Sequence, residues 1–208
     1  MTLQRSTFKV LQHGSPGYIL AGMEAAFYIL LIAGHLGIFD VIYFHNYKCN
    51  LRSRPECQRE VFWHTIRHGV YATQFIVIAN FRFHGLALVI LAIVYLADVV
   101  VAWSDVLEET ASRRVQGGLP RGEYFMHIVL SLLIGAYLMT VARTVWPDRL
   151  LATGIVLDPP SVPFVLRAYM TLMGITAIGT FLYDLRGWLS FRRTEARATL
   201  KPEKIGVA

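Results

Sequence analysis

Five apolar segments, each about the length needed to cross a lipid bilayer, constrain this chain more than any other feature. They cover residues 18–43, 61–81, 85–107, 124–146 and 162–185. A bilayer core is crossed by about 20 apolar residues in an α-helix. The chain is 55% hydrophobic and only 16% charged, which a soluble domain of 208 residues rarely is. The sequence therefore predicts an all-α membrane bundle of five transmembrane helices.

The cationic residues lie mostly on one side of the predicted membrane. The net charge is +6, and thirteen Lys and Arg residues fall in the loops 48–59 and 113–121 and after residue 185, against four on the other side. Cationic loops stay cytoplasmic. The N-terminus is therefore expected outside and the C-terminus in the cytoplasm. The predicted location is the inner membrane of the cell. Topology accounts for the basic charge, and no nucleic-acid module is recognisable.

The predicted domain organisation is simple. Residues 1–188 form one transmembrane domain, and residues 189–208 form a polar, basic and loose cytoplasmic tail. The polar N-terminal segment, residues 1–18, lacks the apolar core of a cleaved signal peptide. Cys49 and Cys57 lie in the first cytoplasmic loop, where a C-x7-C spacing fits no common zinc signature and a reducing compartment disfavours a disulfide. They are interpreted as ordinary thiols.

Acidic and imidazole side chains from four predicted helices are expected near the cytoplasmic ends of those helices. They are Asp40 and His45 from the first helix, Glu60, His64 and His68 from the second, Asp105 and Glu109 from the third, and Glu123 and His127 from the fourth. Asp98 lies about 10 Å deeper than Asp105, which suits a partner for a histidine or part of a proton path. Ionisable residues at membrane depth are costly and mark functional sites.

The spacing of these residues indicates a shared site. Glu60 and His64 are four residues apart, and so are Glu123 and His127, which places each pair on one helix face about 6 Å apart along the axis. Clustered carboxylates without a cation repel each other or take up protons. A bound metal ion accepts carboxylate and neutral imidazole together. The sequence therefore predicts a metal site formed by four helices.

The types of donor narrow the choice of metal. Mixed Asp, Glu and His ligands suit iron, zinc or manganese and disfavour copper(I). Two Glu-x-x-x-His units predict two ions, with iron favoured, and Glu60, Glu123 and Asp105 are the predicted catalytic carboxylates. The layout is similar in architecture to carboxylate-bridged di-iron bundles, in which two helices each give a Glu-x-x-His unit. Here the spacing is four residues rather than three.

Three functions are consistent with these residues. The first is an oxidoreductase, a hydroxylase or desaturase that acts on a lipid or other hydrophobic substrate with electrons from a donor protein. The second is a zinc hydrolase of a lipid amide or ester, with zinc on His64, His68 and His127 and with Glu60 activating water. The third is a b-type haem subunit with His64 and His127 as axial ligands, although carboxylates are unusual in a haem pocket.

The loop between the third and fourth predicted helices contains Arg113, Arg114 and Arg121. These side chains either hold a lipid phosphate or an acidic carrier, or they are ordinary positive-inside arginines. The chain has no Gly-x-Ser-x-Gly, P-loop or Gly-x-Gly-x-x-Gly motif, which argues against serine catalysis and nucleotide binding.

Overall fold

Helices dominate the structure, a computed structural model that describes residues 16–157 and 162–199. The long helices are α1 (Pro16–Asp40), α2 (Gln58–Asn80), α3 (Leu88–Ser112), α4 (Arg121–Val145) and α5 (Phe164–Thr199). Each predicted apolar segment overlaps one of them, so the all-α class is confirmed. Four of the helical segments are long and apolar enough to cross a membrane: Gly22–Lys48, Gly85–Ser112, Arg121–Leu150 and Phe164–Arg197.

Helix α2 is not among these four segments, because its composition is less apolar than theirs. Its 23 residues span about 35 Å, which is sufficient to cross a bilayer core, but it carries Glu60, His64, Arg67 and His68. Helix α2 packs against both α3 and α5. Because polar residues in a membrane bundle face neighbouring helices rather than lipid, a helix placed between two others does not need to be uniformly apolar.

Packing between the helices forms the larger of two apolar clusters among the described residues. Helix α1 packs on α4, and α2 packs on α3 and α5. Phe27, Phe75, Tyr137 and Met170 from four different helices are all buried in this core. At Gly174 on α5 a Cβ atom would lie 2.5 Å from the Ile76 side chain. Small residues allow membrane helices to approach closely.

The end of α1 continues into a π-helix, Val41–Lys48. Its five-residue hydrogen-bonding step is seen where the Cys49 N–H donates to the Phe44 carbonyl at 2.9 Å. In an α-helix, residues five apart point about 140° away from each other. In the wider π-helical turn, hydrogen bonds join residues i and i+5, and these residues lie much nearer to one face. Asp40 and His45 are five residues apart, so the π-helix brings both side chains to one face.

The connections at the two ends of the bundle differ. At the end opposite the N-terminus of α2, two short strands pair antiparallel: β1 (Arg82–His84) and β2 (Gly154–Val156), with Phe83 opposite Ile155. This ladder was not expected from the sequence. Helix α5 continues as far as Thr199, so residues 189–199 of the predicted loose tail are helical. The rest of that tail and residues 1–15 lie outside the described residues.

Candidate metal centre

Four side chains from α1, the π-helix and α4 converge at one end of the bundle. Asp40, His45, Glu123 and His127 each offer one donor atom, and these four atoms all lie within 4.8 Å of one another. His45 Nε2 lies 3.3 Å from Asp40 Oδ2 and 3.1 Å from Glu123 Oε1. His127 Nε2 lies 3.3 Å from the same Asp40 oxygen. We call this set the first donor group.

A second donor group shares His45 and adds two residues of α2. His45, Glu60 and His64 also have donor atoms within 4.8 Å of one another. His64 Nε2 lies 3.7 Å from Glu60 Oε1 and 3.4 Å from Asp105 Oδ1 on α3. The rings of His45 and His64 have centroids 4.2 Å apart. The two groups together bring α1, α2 and α4 to one point, with α3 beside it.

The donor separations fit a metal ion of ordinary bond length. Zinc and similar ions bind His nitrogen and carboxylate oxygen at about 2.0–2.2 Å, so tetrahedral ligand atoms are about 3.3–3.6 Å apart. The first donor group has contacts of 3.1 to 3.3 Å. His45 Nε2, His64 Nε2 and Asp40 Oδ1 are buried and make no hydrogen bond of acceptable geometry. Buried polar atoms of this kind require a partner, and a cation at this point would supply one.

Glu109 lies outside both donor groups and contacts one of their histidines. Its Oε1 lies 3.0 Å from His127 Nδ1, while His127 Nε2 faces Asp40. A carboxylate behind a metal-binding histidine fixes the tautomer and the orientation of the ring. Glu109 was predicted as a ligand, and its contact through His127 suits this orienting role.

Arg113 is the residue that the sequence interpretation missed. Its side chain is fully buried, with 0% exposure, and its Nη2 donates to Glu60 Oε1 at 2.8 Å and to Glu123 Oε1 at 2.5 Å. The neighbouring Ser112 hydroxyl donates to the other oxygen of Glu60. The guanidinium thus links one carboxylate of each donor group. A basic loop residue next to the predicted site was the available signal, but positive-inside arginines look the same in a sequence.

Two further acids of α3 have partners on α2. Asp105 Oδ2 accepts a hydrogen bond from Arg67 Nη1 at 3.2 Å, and Arg67 Nε donates to the Tyr71 hydroxyl. Asp98 accepts from Gln74 Nε2 at 3.0 Å. Asp105 therefore lies at the edge of the second donor group through His64, whereas Asp98 is held deeper in the α2–α3 interface.

His68 lies outside both donor groups. Its Nδ1 is 3.1 Å from Asp184 Oδ2 on α5, and Asp184 Oδ1 forms an ion pair with Arg52 at 2.5 Å. His68 was predicted as a metal ligand, and its carboxylate partner in the structure is on α5. The Asp184 contribution was not anticipated, because the fifth helix carries no other acid near this end.

The two cysteines are buried free thiols beside the site. Cys49 Sγ is 4.0 Å from Glu123 Oε2, and Cys57 Sγ is 3.5 Å from the Ser112 carbonyl oxygen. Burial raises the pKa of Cys49 above its usual value and raises that of Cys57 to about 11. Neither cysteine belongs to the two donor groups, whose donor atoms are nitrogen and oxygen.

The haem alternative gains no support from this geometry. A haem with two axial histidines needs a flat slot between two imidazoles and mostly apolar walls. His64 and His127 instead direct their Nε2 atoms at Asp105 and Asp40, at 3.4 and 3.3 Å. The His45 ring lies beside both of them. A cluster of this composition suits an ion rather than a porphyrin.

The chain was compared with protein-family models, with curated proteins and with solved structures, and none of the three comparisons gave a match. What the site does has to be inferred from its donor atoms and their surroundings.

Proposed function

We propose that this protein is a membrane-embedded metalloenzyme with a dinuclear, iron-type centre that acts as an oxidoreductase, a hydroxylase or desaturase, on a lipid or other hydrophobic substrate. One observation carries the proposal: two donor groups of carboxylate and imidazole share His45 at one end of a bundle with apolar helices. Oxygen and nitrogen donors with no thiolate suit iron, zinc or manganese. A membrane location suits a substrate that partitions into lipid.

The residues divide the work between two ion positions. Asp40, Glu123 and His127 would hold one ion and Glu60 and His64 the other, and His45, which belongs to both donor groups, would bind one of the two ions. Bound iron would supply one-electron chemistry with dioxygen, which side chains alone do not provide. The second group has only three protein donors, and an ion with three protein ligands keeps a position open for substrate or water.

The surrounding side chains prepare the site. Glu109 holds the ring of His127 by its Nδ1, and Asp105 lies against His64. The Arg113 cation offsets the charges of Glu60 and Glu123. Fixed partners of this kind hold ligands in place without the cost of reorganisation during reaction. Electrons would come from a separate donor protein, as predicted from the sequence.

A zinc hydrolase of a lipid amide or ester is the second candidate, and one observation favours it. His45, His64 and Glu60 form a set of two histidines and one glutamate, a ligand set that catalytic zinc uses in hydrolases. The same set with open positions also binds iron in oxygenases. In the hydrolase the buried Asp105 beside His64 would be a carboxylate in position to accept a proton from water.

Metal analysis of purified protein tests the proposal and separates the two candidates. Elemental analysis should find two iron ions per chain, and Mössbauer spectra should show a coupled pair. One zinc ion per chain and no visible absorbance would favour the hydrolase. His45→Ala should lower the metal content by at least one ion per chain, because both donor groups contain His45. His68→Gln is the matched control and should retain both ions. Protein free of metal after growth in metal-supplemented medium, or unchanged metal content in His45→Ala, would refute a metal centre.

The proposed orientation places the centre at the cytoplasmic face of the inner membrane. Five crossings put the two termini on opposite sides of the membrane. The cationic loops lie at the end of the bundle that carries the donor groups, which puts the C-terminus inside and the N-terminus outside. Fusion of a reporter after residue 208 tests this orientation. A fluorescent protein that matures only in the cytoplasm should be active there, and an alkaline phosphatase that needs export should be inactive.

A further inference from the structure

A cleft beside the second donor group lies between the π-helix, α2 and α5. Its lining combines apolar and polar side chains: Val41, His45, Asn46, Leu51, Arg52, Val61, His64, His68 and Asp184. His45 and His64, two of the three donors in the second group, both line it. An ion bound by the second donor group would therefore lie beside the cleft, on the side of His45 and His64.

The position of the cleft points to access from the membrane. Helices α1 and α5 meet where His35 Nε2 lies 2.7 Å from the Tyr169 hydroxyl. The cleft lies beyond this contact, towards the end of the bundle that carries the donor groups. Ile42, next to the lining residue Val41, and Leu182, two residues before the lining residue Asp184, are exposed, at 59% and 56%. Apolar residues exposed on spanning helices contact the acyl chains of lipid, so the polar head of a chain lying there could enter the cleft sideways.

The polar part of the cleft selects against a strongly charged head group. Arg52 and Asp184 neutralise each other across 2.5 Å, and His68 Nδ1 lies 3.1 Å from the second oxygen of Asp184. Arg52 retains other N–H groups that can donate a hydrogen bond, and the second ring nitrogen of His68 offers a further polar atom. A hydroxyl, carbonyl or amide group matches such a surface, because it needs hydrogen bonds but no counter-charge.

We infer that this cleft, lined by Val41, Asn46, His64, His68 and Asp184, receives the small uncharged polar head of a single-chain amphiphile and presents that head to the second donor group. The inference rests on the proposed function and names its class of substrate. A long-chain alcohol, aldehyde or amide fits the class. The apolar chain would lie outside the cleft, along exposed apolar residues such as Ile42 and Leu182.

Photolabelling of the full-length protein in phosphatidylcholine nanodiscs tests the inference. The probe is a C16 alcohol with a diazirine near its hydroxyl, and labelled residues are mapped by mass spectrometry. Labels should concentrate in residues 41–52 and around residue 184. Val41→Trp and Asn46→Trp, both half-buried cleft positions, should each reduce this labelling about tenfold, which corresponds to about 1.4 kcal/mol of lost binding.

Val100→Trp on α3 is the matched control, since Val100 is 53% exposed and lies outside the cleft. It should label as the unmodified protein does. Labels spread evenly over exposed residues of α3 and α4, or unchanged cleft labelling in both Trp variants, would overturn the inference. Metal content measured on the same samples keeps the two proposals separate. Metal-free protein with intact cleft labelling refutes the metal centre alone, and metal-loaded protein without cleft labelling refutes the amphiphile site alone.

Discussion

Replacing Arg113 with methionine should destabilise the metal-free protein by about 3–5 kcal/mol. Removal of one partner of a buried ion pair leaves an uncompensated charge, and this typically has a cost of that size. Arg113 is fully buried, and its Nη2 bridges Glu60 and Glu123. Methionine keeps most of the volume of the arginine stem, so the change removes mainly the charge and the hydrogen bonds.

The geometry gives the same magnitude. Both carboxylate oxygens accept from one nitrogen, at 2.8 and 2.5 Å, so they are at most about 5.3 Å apart. At an effective dielectric constant of about 20, two unit charges at this distance repel by about 3 kcal/mol. In a chain of about 200 residues, each 1 kcal/mol shifts Tm by about 2–4 °C. The expected decrease in Tm is therefore about 6–20 °C.

Thermal unfolding followed by circular dichroism, in one detergent and with a metal chelator, measures this effect. Arg114→Met is the control, because Arg114 is the next residue and is exposed; exposed substitutions usually change stability by less than about 0.5 kcal/mol. Adding Glu60→Gln to Arg113→Met should restore part of the lost Tm by removing one of the two repelling charges. Equal Tm values for the two arginine variants, or no recovery in the double variant, would refute the reasoning.

Two further predictions concern the loop thiols and the α2–α5 interface. Burial and then the charge of Glu60 raise the pKa of Cys57 from 9.0 to about 11. Maleimide labelling at pH 8 should therefore be about a hundredfold slower than for an exposed thiol and should accelerate as the pH rises toward 11; fast labelling at pH 7 would contradict this. Gly174→Val should lower stability by about 1–3 kcal/mol, because its Cβ meets Ile76 at 2.5 Å. Gly179 has open space around it, so Gly179→Val should be at least as stable as the unmodified protein in thermal melts.

The class of fold could be predicted from local sequence alone. Apolar runs of about 20 residues form helices in lipid, because every backbone polar group must be satisfied within the segment. All five predicted segments overlap a helix of the structure. The same local logic placed Glu60 with His64 and brought Glu123 and His127 to one end of α4, since residues four apart share a helix face.

Asp40 and His45 show the limit of prediction from local spacing along the chain. With α-helical spacing the two side chains would point apart, and only the π-helix Val41–Lys48 brings them to one donor group. Nothing in the sequence pattern distinguishes that wider turn from an ordinary helix end. It depends on how the end of α1 packs against its neighbours, where the burial of His45 and Phe44 offsets the less favourable π-helical hydrogen bonding.

The sequence also left open which partner each charged side chain contacts. Arg113, Arg114 and Arg121 look alike as basic loop residues, yet Arg113 alone of the three is buried between two carboxylates. His68 looks like a ligand one turn below His64, yet Asp184 of α5 holds it. Spacing along a chain determines which side chains share a helix face. Which face meets which neighbour is decided by the packing of all five helices together, because contacts between distant segments exist only in the assembled bundle.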